Sequence, residues 1–425
     1  MTGSMYAAIA GLKTHMQNLN VIGNNVANVN TQSYKAARSV FKTAIYTTMS
    51  GGSNGTQTIG GKNPSQIGYG ANMGSVDIDM STGNYSVTGN ATDMMLDGDG
   101  FFLMGNKDVA NNFDGSDADV SKLTSLTLTR LGNFGFKADG YLTNNDLCVY
   151  GFMCIGVYGD ADHQVIPAGK KAGDPIFSDQ LVPIRFPGER TVTKYYNADG
   201  EEVPPNDDGT QPADTTAKEV VEIAYAFQDP TAGGRVADAY EQVPVLGEDG
   251  QPVDPPQFEN VPYTKAQFTG ITVDQKTGLI TGRSNATKEL VTIGCVAVGQ
   301  VTNPNGVTQI GSSYYTAGNG SGDLTVSILG GGAEDLGLTH VNASLRQAGV
   351  QDPNDPDAAP DTPADGLRLR NGGDTGLLSN GLEMSKTDLA QEIANMIVTQ
   401  RGYQSNTRII TVTDSMLEEL VNMKR

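Results

Sequence analysis

Between Ser385 and Arg425 the chain returns to an apolar position on a seven-residue beat. Leu389, Ile393, Met396, Gln400, Tyr403, Thr407, Ile410, Asp414, Leu417 and Val421 stand alternately four and three apart. That is the spacing of one face of a continuous helix packed against a partner helix. Met396, Tyr403, Ile410 and Leu417 keep half of the positions apolar throughout. The other half falls from Leu389 and Ile393 to Gln400, Thr407 and Asp414, so the predicted seam is a wet one. Ser385 and Asp388 form a capping pair at its start, the hydroxyl accepting from a free backbone N–H and the carboxylate facing the positive helix end. At 1.5 Å per residue the helix would be about 60 Å long, more than a compact domain spans. Ser4 to Asn30 keeps the same beat at Met5, Ile9, Leu12, Met16, Leu19, Gly23 and Val26. Gly11, Gly23, Asn24, Asn25, Asn28 and Asn30 each cost from tenths of a kcal/mol to about 1 kcal/mol relative to Ala. This helix is therefore expected to fray alone and to order only when packed. The termini should pack on each other, on like helices of neighbouring chains, or both; an ordinary intramolecular helix pair is the plainer alternative.

The middle of the chain alternates on a period of two. Phe101 to Met104, Ser125 to Arg130 with Leu126 and Leu128 inward, and Asn133 to Phe136 before the turn Ala138-Asp139-Gly140 predict short strands and a hairpin. Residues 151–284 change texture. Turns at Asn197-Ala198-Asp199-Gly200, Asp208-Gly209 and Glu248-Asp249-Gly250 separate candidate strands such as Val220 to Phe227, which predicts a β domain inserted into the first. Val291 to Val301 and Asp323 to Leu329 return to strand character, with Asn303-Pro304-Asn305-Gly306 as a turn. Thr31 to Met73 is rich in Gly, Ser, Thr and Asn and predicts an extended connector with little core. The expected fold is mainly β with α-helical termini. Residues 1–35 and 380–425 make a split helical domain, 36–72 a connector, 73–150 with 285–379 a discontinuous β domain, and 151–284 an inserted outer β domain.

Fifty-three glycines and no tryptophan in 425 residues favour β-rich domains with tight turns. The formal charge of −20 is unevenly placed. Met1 to Val76 holds five bases and no acid, and Ser385 to the end holds five of each. Asp77 to Met384 carries 43 acids against 18 bases. An acidic body of this kind repels phosphate and argues against nucleic acid as its partner. Cys148, Cys154 and Cys295 have no zinc-type spacing and read as small buried apolar residues. The start lacks a basic stretch followed by an apolar core, and no run approaches a membrane span. The expectation is a cytoplasmic protein or one exported by a route that reads no such signal, with no membrane anchor.

Catalysis needs a constellation, and none is visible. His15 lies in the N-terminal seam, while His163 and His340 lack a nucleophile motif or a metal-ligand neighbour. Asp97-Gly98-Asp99-Gly100 reads as a turn into the buried strand that begins at Phe101 and Phe102. The Gly-rich runs fit neither a phosphate loop nor a dinucleotide fingerprint. The prolines of 352–366 break any calcium-loop register, leaving a solvated acidic loop. No enzyme, metal or cofactor is expected.

Five blocks, in order, nevertheless resemble one family, the bacterial flagellar axial proteins of rod and hook, and its hook members most closely. Leu19 to Lys35 (LNVIGNNVANVNTQSYK), with Asn24, Asn25 and Asn28, looks like the family's N-terminal signature. Leu96 to Phe102, with Gly98, Gly100, Phe101 and Phe102, resembles its GxGFF motif. The segment with Arg130, Gly132, Phe134 and Gly140, through Tyr150-Gly151, resembles the family's segment C-terminal to that motif. Phe268 to Gly322 is similar to the late region. Gly381, Glu383, Ser385 and Asp388, then Gln400, Arg401, Tyr403, Gln404 and Asn406, resemble the C-terminal signature. Ser33 stands where the family usually has glycine, and Lys386-Thr387-Asp388 replaces its usual Asn-Val-Asp. The resemblance implies a structural protein whose terminal helices form a coiled coil lining a tube, with the β domains outside. Copies would stack helically into the hook, the flexible joint that transmits torque from rod to filament. Implied partners are further copies of the chain, the distal rod protein, the hook cap, the hook–filament junction protein and the flagellar type III export apparatus. The implied location is extracellular, in the flagellum. A distal rod or hook-associated protein is the alternative within the family; a secreted β-rich enzyme or adhesin is the alternative outside it.

Overall fold

The seven-residue spacing at the ends and the two-residue alternation between them become helices and strands. The computed structural model describes residues 2–55, 60–107, 126–159, 171–178, 181–197, 202–203, 212, 215–229, 235–244, 258–318, 320–322, 324–328, 369–371 and 375–423. The acidic tract 352–366, His163, His340 and the turns at 208–209 and 248–250 lie outside the described residues. The chain is mainly β with a helix at each end, α1 (Thr2–Ala27) and α2 (Leu389–Met423). It divides into two units, Met1–Asn84 with Met384–Arg425, and Tyr85–Glu383.

In the first unit α1 and α2 pack antiparallel, and a two-stranded ribbon rises from α1. Ala37–Thr43 pairs with Ala71–Ile78 and, further out, Tyr46–Ser50 pairs with Ser65–Gly68. Hydrogen bonds from Ala44 to Gly70 and from Tyr69 to Ile45 join the two halves. The extended connector expected over 36–72 takes the form of a paired ribbon. Its Thr-rich and β-branched runs satisfy their backbone groups against each other, which Gly/Ser composition alone did not reveal. The ribbon's root is fixed by side chains of α1. Thr14 donates to the Ala71 carbonyl (2.9 Å), and Asn18 accepts from Ser39 (2.5 Å).

The second unit is built on a 14-stranded sheet. Its spine runs Phe268–Val273, Leu279–Ser284, Leu290–Val301, Leu147–Val157, Phe101–Gly105, Thr127–Thr129, Tyr314–Thr316 and Thr308–Gly311. Leu290–Val301 pairs with Leu147–Val157 through Cys295 and with Phe101–Gly105 through Val298, so one long strand ties both neighbours together. Met94, Leu96, Phe102, Met104, Phe134, Val149, Ile280, Ile293 and Val298 form its buried core. A separate sheet pairs Gly188–Tyr196 with Thr216–Ala224, flanked by Glu202–Val203 and Thr264–Lys265. The expected insert 151–284 is therefore too wide. Leu147–Val157 runs unbroken past 151, and Phe268–Val273 and Leu279–Ser284 belong to the large sheet. Among the described residues of 151–284, only strands within 188–265 lie outside it. Turn chemistry marked a change of texture, but register decides which sheet a strand joins.

Candidate assembly interface

Glycine and short polar side chains let two helices approach closely, and such residues tie α1 to α2 on the face of α1 that also carries the buried Ala8 and Ile22. Asn25 donates to Glu392 (3.1 Å) and Asn18 to Thr399 (2.9 Å). A Cβ added at Gly11 would stand 2.8 Å from Asn406, and one at Gly402 would stand 2.7 Å from His15. Stepping by seven from 11 to 18 to 25 along α1 matches 406, 399 and 392 on α2, an antiparallel pair in heptad register. The contact within the chain uses a different face from the expected seam. On α1 the contact face is turned by one residue from Met5, Ile9, Leu12, Met16, Leu19 and Val26. Ile9 and Met16 remain 45% and 46% exposed, while Met5, Leu12, Leu19 and Val26 are half-buried. On α2, Met396, Tyr403, Ile410 and Leu417 are half-buried, but Leu389, Ile393 and Val421 are exposed. Thr399 and Thr413 are the buried positions of α2. Gln400, Arg401, Gln404 and Asp414 face solvent. Apolar periodicity finds the stripe that can be covered; the polar heptad Glu392, Thr399, Asn406 was the signal for the face that is.

Asn25 is the node of this unit. It is buried, and both ends of its amide are engaged. Its nitrogen donates to the Ala37 carbonyl (2.8 Å) as well as to Glu392, and its oxygen accepts from the Ala37 N–H (3.0 Å) and the Tyr34 hydroxyl (3.0 Å). The amide thus pairs with the first ribbon residue as a neighbouring strand would. Asn24 donates to Tyr34 (3.0 Å), and Asn28 donates back to the Asn24 carbonyl (2.9 Å) where α1 ends. Burial, with the Glu392 charge beside it, pushes the Tyr34 hydroxyl above its ordinary pKa. Ser33 is buried at φ +55°, a left-handed conformation in which a side chain is strained, at the position where the resemblance has glycine.

The cap of α2 also differs from expectation. Asp388 accepts from the Ala390 and Gln391 amides (3.0 and 3.2 Å), while Ser385 bonds to Thr387 instead. The helix starts one residue after Asp388, so the carboxylate alone is in reach of the free N–H groups.

The remaining signature residues meet in the second unit. Arg130, 2% exposed, donates to the Leu96 and Gly98 carbonyls (3.3 and 2.6 Å) and lies 4.0 Å from Glu383 and over the Phe101 ring. Burial pulls its guanidinium pKa down, and Glu383 and Asp99 oppose that. Gly98 and Gly100 take φ of +113° and +135°, so the turn clasped by Arg130 is open to glycine alone at little cost. Phe102 meets Phe134 edge to face at 4.9 Å. A Cβ at Gly132 would overlap the Met94 carbonyl oxygen. Gly381 pairs with Val87 beside Tyr85, and Gly140 accepts from the Phe186 N–H. Motifs far apart in sequence thus form one structural clasp. The three cysteines are buried free thiols, Cys154 and Cys295 pushed up to about 12 by burial. Among the described residues no helix is long and apolar enough to cross a membrane, and no group of three or more His, Cys, Asp or Glu is placed to hold a metal ion.

Comparison with known proteins places both termini. Residues 5–35 match the family described as flagella basal body rod protein, and residues 378–423 match the flagellar basal body rod FlgEFG protein C-terminal family. The flagellar hook protein FlgE of Borreliella burgdorferi is 27% identical with all of both chains covered. The flagellar basal-body rod protein FlgG of Bacillus subtilis is also 27% identical over all of both chains. Helicobacter pylori flagellar hook protein FlgE2 aligns over 59% of this chain and 97% of its own, with 14% identity and a TM-score of 0.27. Both terminal segments thus match flagellar rod and hook families, and the chain is similar over its full length to a flagellar hook protein and to a flagellar rod protein.

Proposed function

We propose that this chain is the repeating subunit of the flagellar hook, a structural protein that polymerises helically and carries torque from rod to filament. One observation carries the reading. Of the 26 large hydrophobic residues left exposed among the described residues, 21 lie in the terminal unit, whose helices spend their mutual contact on glycine and polar side chains. A monomer rarely leaves so much apolar surface uncovered unless a partner takes it. Further copies of the chain are that partner, and the helix pair extends into a coiled coil lining a tube, with the β sheets outside. A split terminal helical domain, a discontinuous β domain that keeps Leu147–Val157 and residues 268–284, and an inserted outer sheet within 188–265 belong to this proposal, as do the distal rod protein, hook cap and hook–filament junction protein as end contacts. Export through the flagellar type III apparatus would deliver the subunit outside the cell.

Removal of Leu389 to Arg425 tests the reading. The truncated chain is expected to keep its large sheet, read as an unchanged melting transition of the second unit, and to stay unassembled when seeded. Assembly of the truncated chain at the full-length concentration would overturn it. A distal rod protein is the second reading, favoured by the full-length similarity to the Bacillus subtilis FlgG. Cells lacking their hook protein and cells lacking their distal rod protein separate the two: hooks restored by this chain in the former support the first reading, and rods completed by it in the latter support the second.

A further inference from the structure

The inserted sheet communicates with the large sheet through two crossing segments that lie side by side. Outgoing, Val182–Pro183 still pairs with Leu147–Val157, Phe186 donates to the Gly140 carbonyl (2.9 Å), and Gly188 enters the inserted sheet. Returning, Lys265 pairs with Gly188, Ala266 donates to the Pro187 carbonyl (2.9 Å), and Phe268 enters the large sheet. Phe186 and Phe268 face each other at 4.9 Å, and Ala226 rests on Met153 and Val182. Phe186 also stacks on Phe136 at 4.1 Å at the margin of the large sheet's core, so two short segments anchored by aromatic contacts make a narrow joint, the kind of region where opening is local.

One carboxylate grips both segments. Asp238, from the inserted region, bonds Arg185 of the outgoing segment through Oδ1 (2.6 Å) and Lys265 of the returning segment through Oδ2 (2.6 Å). Arg185 is almost fully buried and is held in place by the Pro183 carbonyl and the Tyr141 ring. An ion triad at partial burial resists screening better than a surface pair. Its three members come from three segments separated by 53 and 27 positions, so it orders the joint rather than any one strand.

We propose that residues 183–188 and 263–268 form a hinge between the two sheets and that Asp238 is the latch that fixes its angle. The hinge is a property of the unassembled subunit, so its test is separate from whether tubes form. Backbone hydrogen exchange of the full chain, below its assembling concentration, reads it directly. Asp238→Asn keeps shape and removes the charge. It should speed exchange of the Phe186 and Ala266 amides about tenfold, while the amides of Gly188–Tyr196 and Leu147–Val157 keep their rates. Lys265→Met, which leaves Arg185 paired, should give a smaller rise at the same amides and carries the test if the first variant fails to fold. Glu222→Gln breaks the pairs with Arg190 and Lys194 on the inserted sheet itself and should leave the joint unchanged. Unchanged joint amides in both latch variants, or acceleration spread equally through the large sheet, would overturn the proposal.

Discussion

At the scale of single residues, the structure assigns most of its weight to polar side chains that hold backbone. Asn25 satisfies both backbone groups of Ala37 while joining Tyr34 and Glu392. Asn25→Ala strands these buried groups and should destabilise the terminal unit by about 2–4 kcal/mol, read by denaturant titration, with the second unit's transition unmoved. A cost below about 0.5 kcal/mol would remove Asn25 from its place as the node. Asp238 makes a pH prediction. Burial pushes its carboxyl up, but Arg185 and Lys265 more than offset this and hold it below the ordinary value. A depressed carboxylate gives stability that is present above the unfolded pKa, about 3.9 for Asp, and is lost as pH falls through the folded value. The stability gap between the native chain and Asp238→Asn should therefore be full near neutrality and close in acid below the ordinary Asp range. A gap that persists unchanged there would show that charge is not what the carboxylate supplies. Neither residue's partners were visible from sequence. Asn25 stood out only as part of a motif, and Arg185, Asp238 and Lys265 carry no spacing that announces a triad.

Among the elements, the helices were legible because a seven-residue beat survives weak propensity, and the strands because alternation does. The helix face was not legible. Hydrophobicity marks what prefers to leave water, and in this pair the contact is made instead by Gly11, Asn18, Asn25, Glu392, Thr399, Gly402 and Asn406. The ribbon at Ala37–Ile78 was missed for a related reason: its strands are mostly exposed, so no buried alternation marks them. The outward stripe of α1 makes a separable prediction. Ile9→Asp lies on the exposed side, so circular dichroism and the melting transition of the monomer should change by no more than about 0.5 kcal/mol. The concentration needed for assembly should nevertheless rise at least about tenfold, because an unpaired charge would have to be buried between copies. Assembly at the native concentration would take this stripe out of the interface.

Across the whole molecule, charge and apolar exposure divide between the two units. The terminal unit has 10 bases against 7 acids, and the second unit has 18 against 41. Copies of so acidic a body repel when brought together, while the terminal unit offers the apolar surface that attracts. Raising salt from about 10 to about 150 mM shortens the screening length from about 30 to about 8 Å. It should lower the assembling concentration, followed by light scattering; a higher concentration at the higher salt would mean that attraction between charges drives assembly instead. The central claim is that the terminal unit is completed by other copies of itself. Electron cryomicroscopy of the seeded full-length chain tests it most directly. Helical tubes in which Ile9, Met16, Leu389 and Ile393 are buried between neighbouring subunits are expected; discrete particles under all seeded conditions, or tubes that leave those four side chains in water, would overturn this mode of assembly.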